Sequence, residues 1–190
     1  MSGIKYSLRQ ESTSFSIGTT NLRSSNGSLI DTNGCVALLV LSGFAVATIN
    51  FEKRILRKGD FVLLFYDSTF SMLSISAAFS VRYVSFAYHL IEEAIYKPLS
   101  INFWNTIYSN PVFRPNERDF KLLVEWWYQM EWVNNIKDYD YQEEILKNNI
   151  RNLLVATDIE IMDHAGDSLR NSRGHAWMLV NRFFRLLSSY

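Results

Sequence analysis

The sequence has few of the features that would assign it quickly to a function. Its 190 residues include one cysteine, three histidines and no excess of either charge. The lone Cys35 cannot form an intramolecular disulfide, which is typical of proteins kept in a reducing compartment. With 19 basic and 19 acidic residues, the chain lacks the basic excess that nucleic-acid-binding domains direct at phosphates. Direct nucleic-acid contact by these residues is therefore disfavoured.

Long hydrophobic runs are also missing. The longest, from Cys35 to Ile49, is interrupted by Ser42 and Gly43 and is too short to span a bilayer. The segment from Met1 to Ser12 is polar and has no apolar signal core. We therefore expect a cytoplasmic protein that makes no membrane contact.

The sequence shows no recognisable catalytic motif. It contains no nucleophile elbow, glycine-rich dinucleotide motif, phosphate-binding loop or cysteine pair. The closest acid–base pair is Asp163 with His164, but adjacent residues on a helix point in different directions. We predict no catalytic residue and no cofactor.

Aromatic residues, in contrast, are abundant, with 13 Phe, 10 Tyr and 5 Trp, and they predict a well-packed interior. Between residues 35 and 88, short apolar runs alternate with turn residues, which predicts a series of strands. Two of these, Cys35–Leu41 and Phe44–Asn50, flank Ser42-Gly43 and are predicted to form a hairpin. Because no helices fit between the strands, the pattern favours a sandwich or barrel.

The two ends of the chain differ from this central part. Residues 1–34 are polar and predict an arm with short edge strands, such as Ser14–Thr20. From residue 89 to residue 190 the apolar spacing is helical. Long helices are predicted from Pro115 and over Tyr141–Asp163, followed by a break at Gly166–Gly174 and a last helix from Trp177.

The strand-rich part, residues 35–88, resembles a cupin, a small double-stranded β-helix barrel. Gly43 and Gly59 stand at the spacing of the family's two glycine turns, and Gly59-Asp60 precedes the apolar strand Phe61–Phe65. Metal-binding cupins carry histidine and glutamate ligands around these turns. At two of those positions this chain has Val36 and Phe70, which cannot bind a first-row metal.

The whole layout resembles the N-terminal sensor part of AraC-type transcription regulators, especially the group common in Bacteroidetes. The segment Ser80–Ala87 leads into a helix, two longer helices follow, and Trp177–Tyr190 is similar to the family's linker helix. The resemblance implies a mainly β plus α fold, with a cupin-like β-barrel followed by a helical segment. It also implies a small-molecule effector, for which a sugar is one candidate, a homodimer, and DNA contact through a C-terminal domain that lies outside these residues.

Four polar or aromatic residues are candidates for contact with the effector. Arg82 lies in a predicted strand and could hold a carboxylate or sugar hydroxyls from inside a barrel. The full candidate set is Thr48, Asn50, Tyr66 and Arg82. For each of them, an ordinary exposed position at a strand end or rim is the alternative.

The predicted helix Tyr141–Asp163 carries a wide apolar stripe that could pair two chains. The stripe consists of Leu146, Ile150, Leu153, Leu154 and Ile161. The alternative is that these residues form the helix's own core contact and leave a monomer.

Two other functions are compatible with a metal-free cupin. One is an enzyme such as a sugar isomerase or epimerase, although no predicted barrel strand offers the histidine or paired carboxylates that acid–base catalysis needs. The other is a degenerate cupin that only binds proteins.

We predict that the purified chain holds no stoichiometric transition metal, because Val36 and Phe70 occupy ligand positions and no histidine cluster replaces them. Elemental analysis of chain purified without chelator should find well under one metal per chain. About one metal per chain, with loss of stability on chelation, would contradict the prediction.

Overall fold

The computed structural model describes residues 6–25 and 27–171, with side chains through Met162. In these residues nine strands form two antiparallel sheets. Two helices lie between the eighth and ninth strands, and two more follow the ninth. The strands are β1 (Phe15–Thr20), β2 (Leu29–Ile30), β3 (Cys35–Ser42), β4 (Phe44–Ile49), β5 (Glu52–Arg57), β6 (Phe61–Phe65), β7 (Phe70–Ile75), β8 (Ser80–Phe86) and β9 (Val112–Phe113). The helices are α1 (Tyr88–Ala94), α2 (Ile101–Ser109), α3 (Glu117–Asn134) and α4 (Tyr139–Asn171).

The two sheets have the strand orders β1-β8-β3-β6-β9 and β2-β7-β4-β5. The chain therefore changes sheet repeatedly, and most sequential strands are not neighbours. The prediction of a mainly β part followed by helices is confirmed.

The prediction of a hairpin around Ser42-Gly43 is wrong. β3 and β4 lie in different sheets, and Gly43 is the corner where the chain crosses between them. Gly59 occupies a second such corner, between β5 and β6. The hairpin of this region is β4–β5, whose two-residue turn is Asn50-Phe51, both with positive φ. Gly43 and Gly59 therefore indicate where the chain turns, but they do not indicate which strands pair.

The structure contains two hydrophobic cores that share the five-stranded sheet. Alternate residues of β3, such as Val36 and Leu38, point between the sheets. Their neighbours Cys35 and Ala37 point to the helices. Burial on both faces explains why β3 and β6 read as continuous apolar runs instead of alternating ones.

Asp60 closes the corner after β5. Its buried carboxylate accepts a hydrogen bond from the Arg57 amide at 2.8 Å and from Arg114 Nε at 3.2 Å. A buried carboxylate needs such partners to offset its lost hydration. The Gly59-Asp60 unit is therefore both a turn and a link to the strand that precedes α3.

The helical half differs in detail from the sequence-based expectation. α2 was not predicted, and α4 continues through residue 171 without the break expected at Gly166. The helix predicted from Trp177 lies outside the described residues. No described helix is long and apolar enough to cross a membrane.

We expect alanine to be far more damaging at Gly43 than at Gly59. Both residues have left-handed φ values, 67° and 89°, which cost an alanine about 1 kcal/mol. At Gly43 a Cβ would also lie 2.6 Å from the Phe79 backbone nitrogen, whereas at Gly59 it would meet nothing within 4 Å. In urea unfolding, Gly43→Ala should lose at least ~2 kcal/mol more stability than Gly59→Ala. Equal losses would show that the corner at Gly43 is more open than described.

Candidate functional site: an aromatic cleft beside α2

The space between the two sheets is filled by side chains. Leu38, Val62 and Leu64 from one sheet meet Phe70 and Met72 from the other, all of them fully buried. A ligand could not enter here without displacing this core. Clefts on the outside of the sandwich are therefore the better candidates for a site.

One such cleft lies between the β6–β7 connection and α2 and encloses about 280 Å³. The β6–β7 side supplies an apolar floor and two polar groups, and α2 supplies an aromatic wall. The lining residues are Phe65, Asp67, Ser68, Trp104, Asn105, Ile107 and Tyr108. We call this site the aromatic cleft.

Trp104 is fixed in the cleft wall by two other rings. Its ring centroid lies 5.1 Å from that of Phe65 and 5.0 Å from that of Phe103, both in edge-to-face geometry. Such contacts favour one orientation of the ring. Trp104 is 38% exposed, so part of the fixed indole remains accessible.

The C-terminal end of α2 is tied to the β4–β5 hairpin. Asn50 Nδ2 donates to the carbonyl of Tyr108 at 2.7 Å, and Arg54 donates to the carbonyl of Ser109 at 2.8 Å. Asn50 also accepts from the Thr69 amide at 3.0 Å. These bonds satisfy carbonyls at the helix terminus and place Tyr108 beside the β6–β7 connection.

The N-terminal end of α2 is tied to α4. Ser100 caps the helix by accepting from the Phe103 amide, and its own amide donates to Asp158 at 2.9 Å. The Ser100 hydroxyl donates to the other Asp158 oxygen. A carboxylate at a helix N-terminus is stabilised by the helix dipole. The wall of the aromatic cleft therefore bridges the β-sandwich and α4.

Polar groups in the aromatic cleft are neutral or acidic. Asp67, Ser68 and Asn105 offer hydrogen bonds, and the described lining residues include no cationic side chain. Among the described residues, no group of three or more His, Cys, Asp or Glu is placed to hold a metal ion. The arrangement can orient a neutral polar molecule against aromatic rings.

Two of the sequence-predicted ligand residues lie near the aromatic cleft. Asn50 holds the end of α2 instead of facing the cleft. Tyr66 is exposed next to the cleft residues Phe65 and Asp67, and its ring packs edge-on against Tyr88 at 5.1 Å.

The other two lie elsewhere. Thr48 alternates with the inward-facing Ala47 and Ile49, which places it on the outer face of the four-stranded sheet. Arg82 is on the helix-facing side of β8, where its guanidinium lies 4.8 Å from the Tyr128 ring centroid. The structure does not bring the four residues together.

The cleft residues that sequence reasoning missed are Trp104, Asn105 and Tyr108 on α2, together with Asp67. The available signal was Ser100, a favoured helix N-cap residue directly before a segment with helical apolar spacing. Nothing in the sequence indicates that α2 packs beside the β6–β7 connection.

Ionisable groups where α1 meets α4 shift one another's pKa values. The hydrogen bond with Lys147 lowers the pKa of Glu93 and raises that of Lys147. A hydrogen bond with Glu92 raises the pKa of Tyr88. In the core beneath, burial raises the pKa of the Cys35 thiol far above its usual range. Cys35 is therefore a packing residue and not a reactive thiol.

The apolar stripe predicted to form a dimer interface belongs to the core of the chain itself. All five of its members are buried against the sheet and the other helices: Leu146, Ile150, Leu153, Leu154 and Ile161. The stripe lies on a helix that packs against three others, α1, α2 and α3, which accounts for its width. These side chains offer no surface to a second chain, so a dimer must use others.

The fold is similar to that of an apo form of a ToxT variant from Vibrio cholerae. The TM-score is 0.52 at 16% identity, over 80% of this chain and 59% of ToxT. Unsaturated-fatty-acid-bound ToxT matches with a TM-score of 0.47 at 16% identity, over 80% and 57%. The AraC-like transcriptional activator CuxR matches with a TM-score of 0.37 at 17% identity, over 76% and 48%.

These neighbours are transcriptional regulators of the AraC type and not enzymes. The chain spans about three fifths of the ToxT length. No family model matches the chain, and no curated protein matches it in sequence. What the likeness establishes is the shared fold.

We expect Leu154→Ala to lower the free energy of unfolding by about 3 kcal/mol, because the truncation leaves a cavity in the core. Ile159→Ala, on the exposed side of the same helix, is the matched control and should change stability by less than ~1 kcal/mol. Urea unfolding followed by circular dichroism measures both. Similar small effects for the two variants would place Leu154 outside the core.

Proposed function

We propose that this chain is the ligand-sensing regulatory module of an AraC-type transcription regulator and that it catalyses no reaction. The observation that carries the proposal is its fold, a two-sheet sandwich covered by helices on one side and similar to ToxT. The resemblance seen in the sequence points to the same family. Fold likeness supports function by analogy, so the site must supply the remaining argument.

The sandwich is proposed to be a cupin-like barrel. Its strand orders, β1-β8-β3-β6 facing β2-β7-β4-β5, match those expected of an eight-stranded jelly roll, to which cupins belong. In this arrangement β9 is an addition that joins the helical half to the edge of the larger sheet.

DNA contact is proposed to come from a region outside these 190 residues. The chain lacks the basic excess that nucleic-acid-binding domains usually direct at phosphates. A cytoplasmic location follows from this role. A homodimer is also part of the proposal, since two DNA-binding domains must be held at half-site spacing.

The effector is proposed to bind in the aromatic cleft. An exposed face of Trp104 offers a stacking surface, while Asp67 and Asn105 can hydrogen-bond hydroxyl groups. This chemistry suits an uncharged, polyhydroxylated molecule such as a sugar. A fatty acid, as bound by ToxT, is disfavoured at this cleft because its carboxylate would meet Asp67 without a compensating cation.

Ligand binding at the aromatic cleft can be tested with a panel of monosaccharides and with oleate. At least one sugar should raise the melting temperature, since a ligand that binds only the folded chain stabilises it. Trp104→Ala should remove most of that shift and lower the affinity at least tenfold by calorimetry. Trp132→Ala, which alters an exposed tryptophan away from the cleft, is the matched control.

Stabilisation by oleate alone, or an unchanged sugar response in Trp104→Ala, would contradict the proposed site. The regulatory role is tested separately by fusing the chain to a heterologous DNA-binding domain that needs dimerisation. Reporter output should then depend on the chain and change with the sugar.

A further inference from the structure

The outer face of the four-stranded sheet carries a second cleft, of about 550 Å³, and none of the four described helices covers it. Its floor is apolar and its rim is basic. The lining residues are Gly43, Phe44, Val46, Ile55, Arg57 and Lys58, and Lys53 lies on the same face of β5. We call this surface the basic groove.

The basic groove exposes both apolar and cationic side chains, as contact surfaces do. Phe44 is 55% exposed and Ile55 is 49% exposed, although both could have been polar on an outward strand face. Lys53, Arg57 and Lys58 are also exposed, and no carboxylate in the described part of the chain pairs with them. A complementary partner must therefore be both apolar and acidic.

The corner between α3 and α4 has the opposite character. Trp132, Tyr139 and Tyr141 are 60%, 78% and 66% exposed there. Four carboxylates and one lysine are exposed in the same segment of the chain: Glu131, Asp138, Asp140, Glu144 and Lys137. We call this surface the acidic corner.

The two surfaces lie on opposite sides of the molecule. The basic groove is on the outer face of the four-stranded sheet, whereas α3 and α4 pack against the five-stranded sheet. The sandwich stands between them, so the acidic corner cannot reach the groove of its own chain. Any contact between them must join two copies.

We propose that the acidic corner of one copy docks into the basic groove of another. Exposed Trp and Tyr side chains are the usual anchors of protein interfaces, and Phe44 and Ile55 provide an apolar floor for them. The opposite charges around the two surfaces fix the orientation and speed association. Because different surfaces meet, the contact is head-to-tail and closes into a ring or extends as a chain.

Charge reversal tests this contact. Sedimentation velocity should show that the unmodified chain self-associates at tens of micromolar in low salt and dissociates near 0.5 M salt, where charges are strongly screened. The groove variant Lys53→Glu with Lys58→Glu should show no salt-dependent association beyond the proposed homodimer, and neither should the corner variant Glu131→Lys with Asp140→Lys. Arg57 is left unchanged because its amide belongs to the Asp60 turn.

Mixing the groove variant with the corner variant gives the decisive measurement. In an equimolar mixture each reversed chain keeps one native surface, so the native groove of the corner variant can bind the native corner of the groove variant. The mixture should therefore form assemblies that contain both chains and are larger than those of either variant alone. Lys97→Glu with Arg118→Glu, two exposed cations outside both surfaces, should associate like the unmodified chain.

Circular dichroism melts check that every variant folds. A parent chain that has the same size at about 200 µM in low salt as in 0.5 M salt would overturn the proposal, as would a mixture no larger than the separate variants. Binding of the parent, but not of the groove variant, to phosphatidylcholine vesicles with 30% phosphatidylglycerol, without self-association, would assign the groove to anionic lipid and also overturn it.

Discussion

The burial of the five-stranded sheet on both faces is the constraint on which the rest of the structure depends. β3 and β6 must present apolar residues inward to the second sheet and outward to the helices, and they do so with alternate residues of one run. The sheet is therefore the common wall of two cores. A helical layer without this wall would expose Leu146, Ile150 and Leu154, and the sheet without the helices would expose Cys35, Ala37 and Phe65. Neither half is expected to be stable alone.

The filled interior decides where a ligand can act. Because Leu38, Leu64 and Phe70 close the space between the sheets, any ligand would have to bind at the surface of the sandwich, where α2 provides a wall. That helix is held by hydrogen bonds at both ends, to Asn50 at one and to Asp158 at the other. A ligand that shifts α2 must therefore strain one of these contacts. The Asp158 contact would pass the shift to α4, and the Asn50 contact would pass it to the β4–β5 hairpin.

Strand positions could be predicted from the sequence because turn residues and apolar runs are local signals. Pairing could not, since Gly43 marks a corner between sheets as readily as a hairpin, and only the complete topology separates the two. The stripe containing Leu154 was visible, but its partner depended on how α4 packs. The site was hidden for a similar reason. Asp67 and Trp104 are 37 positions apart, and they share a cleft only because α2 folds back on the β6–β7 connection.

The zero net charge illustrates the same limit in electrostatic terms. Equal counts of acidic and basic residues argue against a phosphate-binding surface only when the charges are mixed, because a segregated chain can carry a strong local field at zero total charge. Here the charges are partly segregated. Lys53, Arg57 and Lys58 lie at the outer face of the four-stranded sheet. Glu131 and Asp140 lie on α3 and α4, on the other side of the sandwich. The apolar residues among these cations, Phe44 and Ile55, favour a partner with hydrophobic anchors over a bare phosphate backbone. The surface thus points to contact with protein, as the proposed head-to-tail association requires.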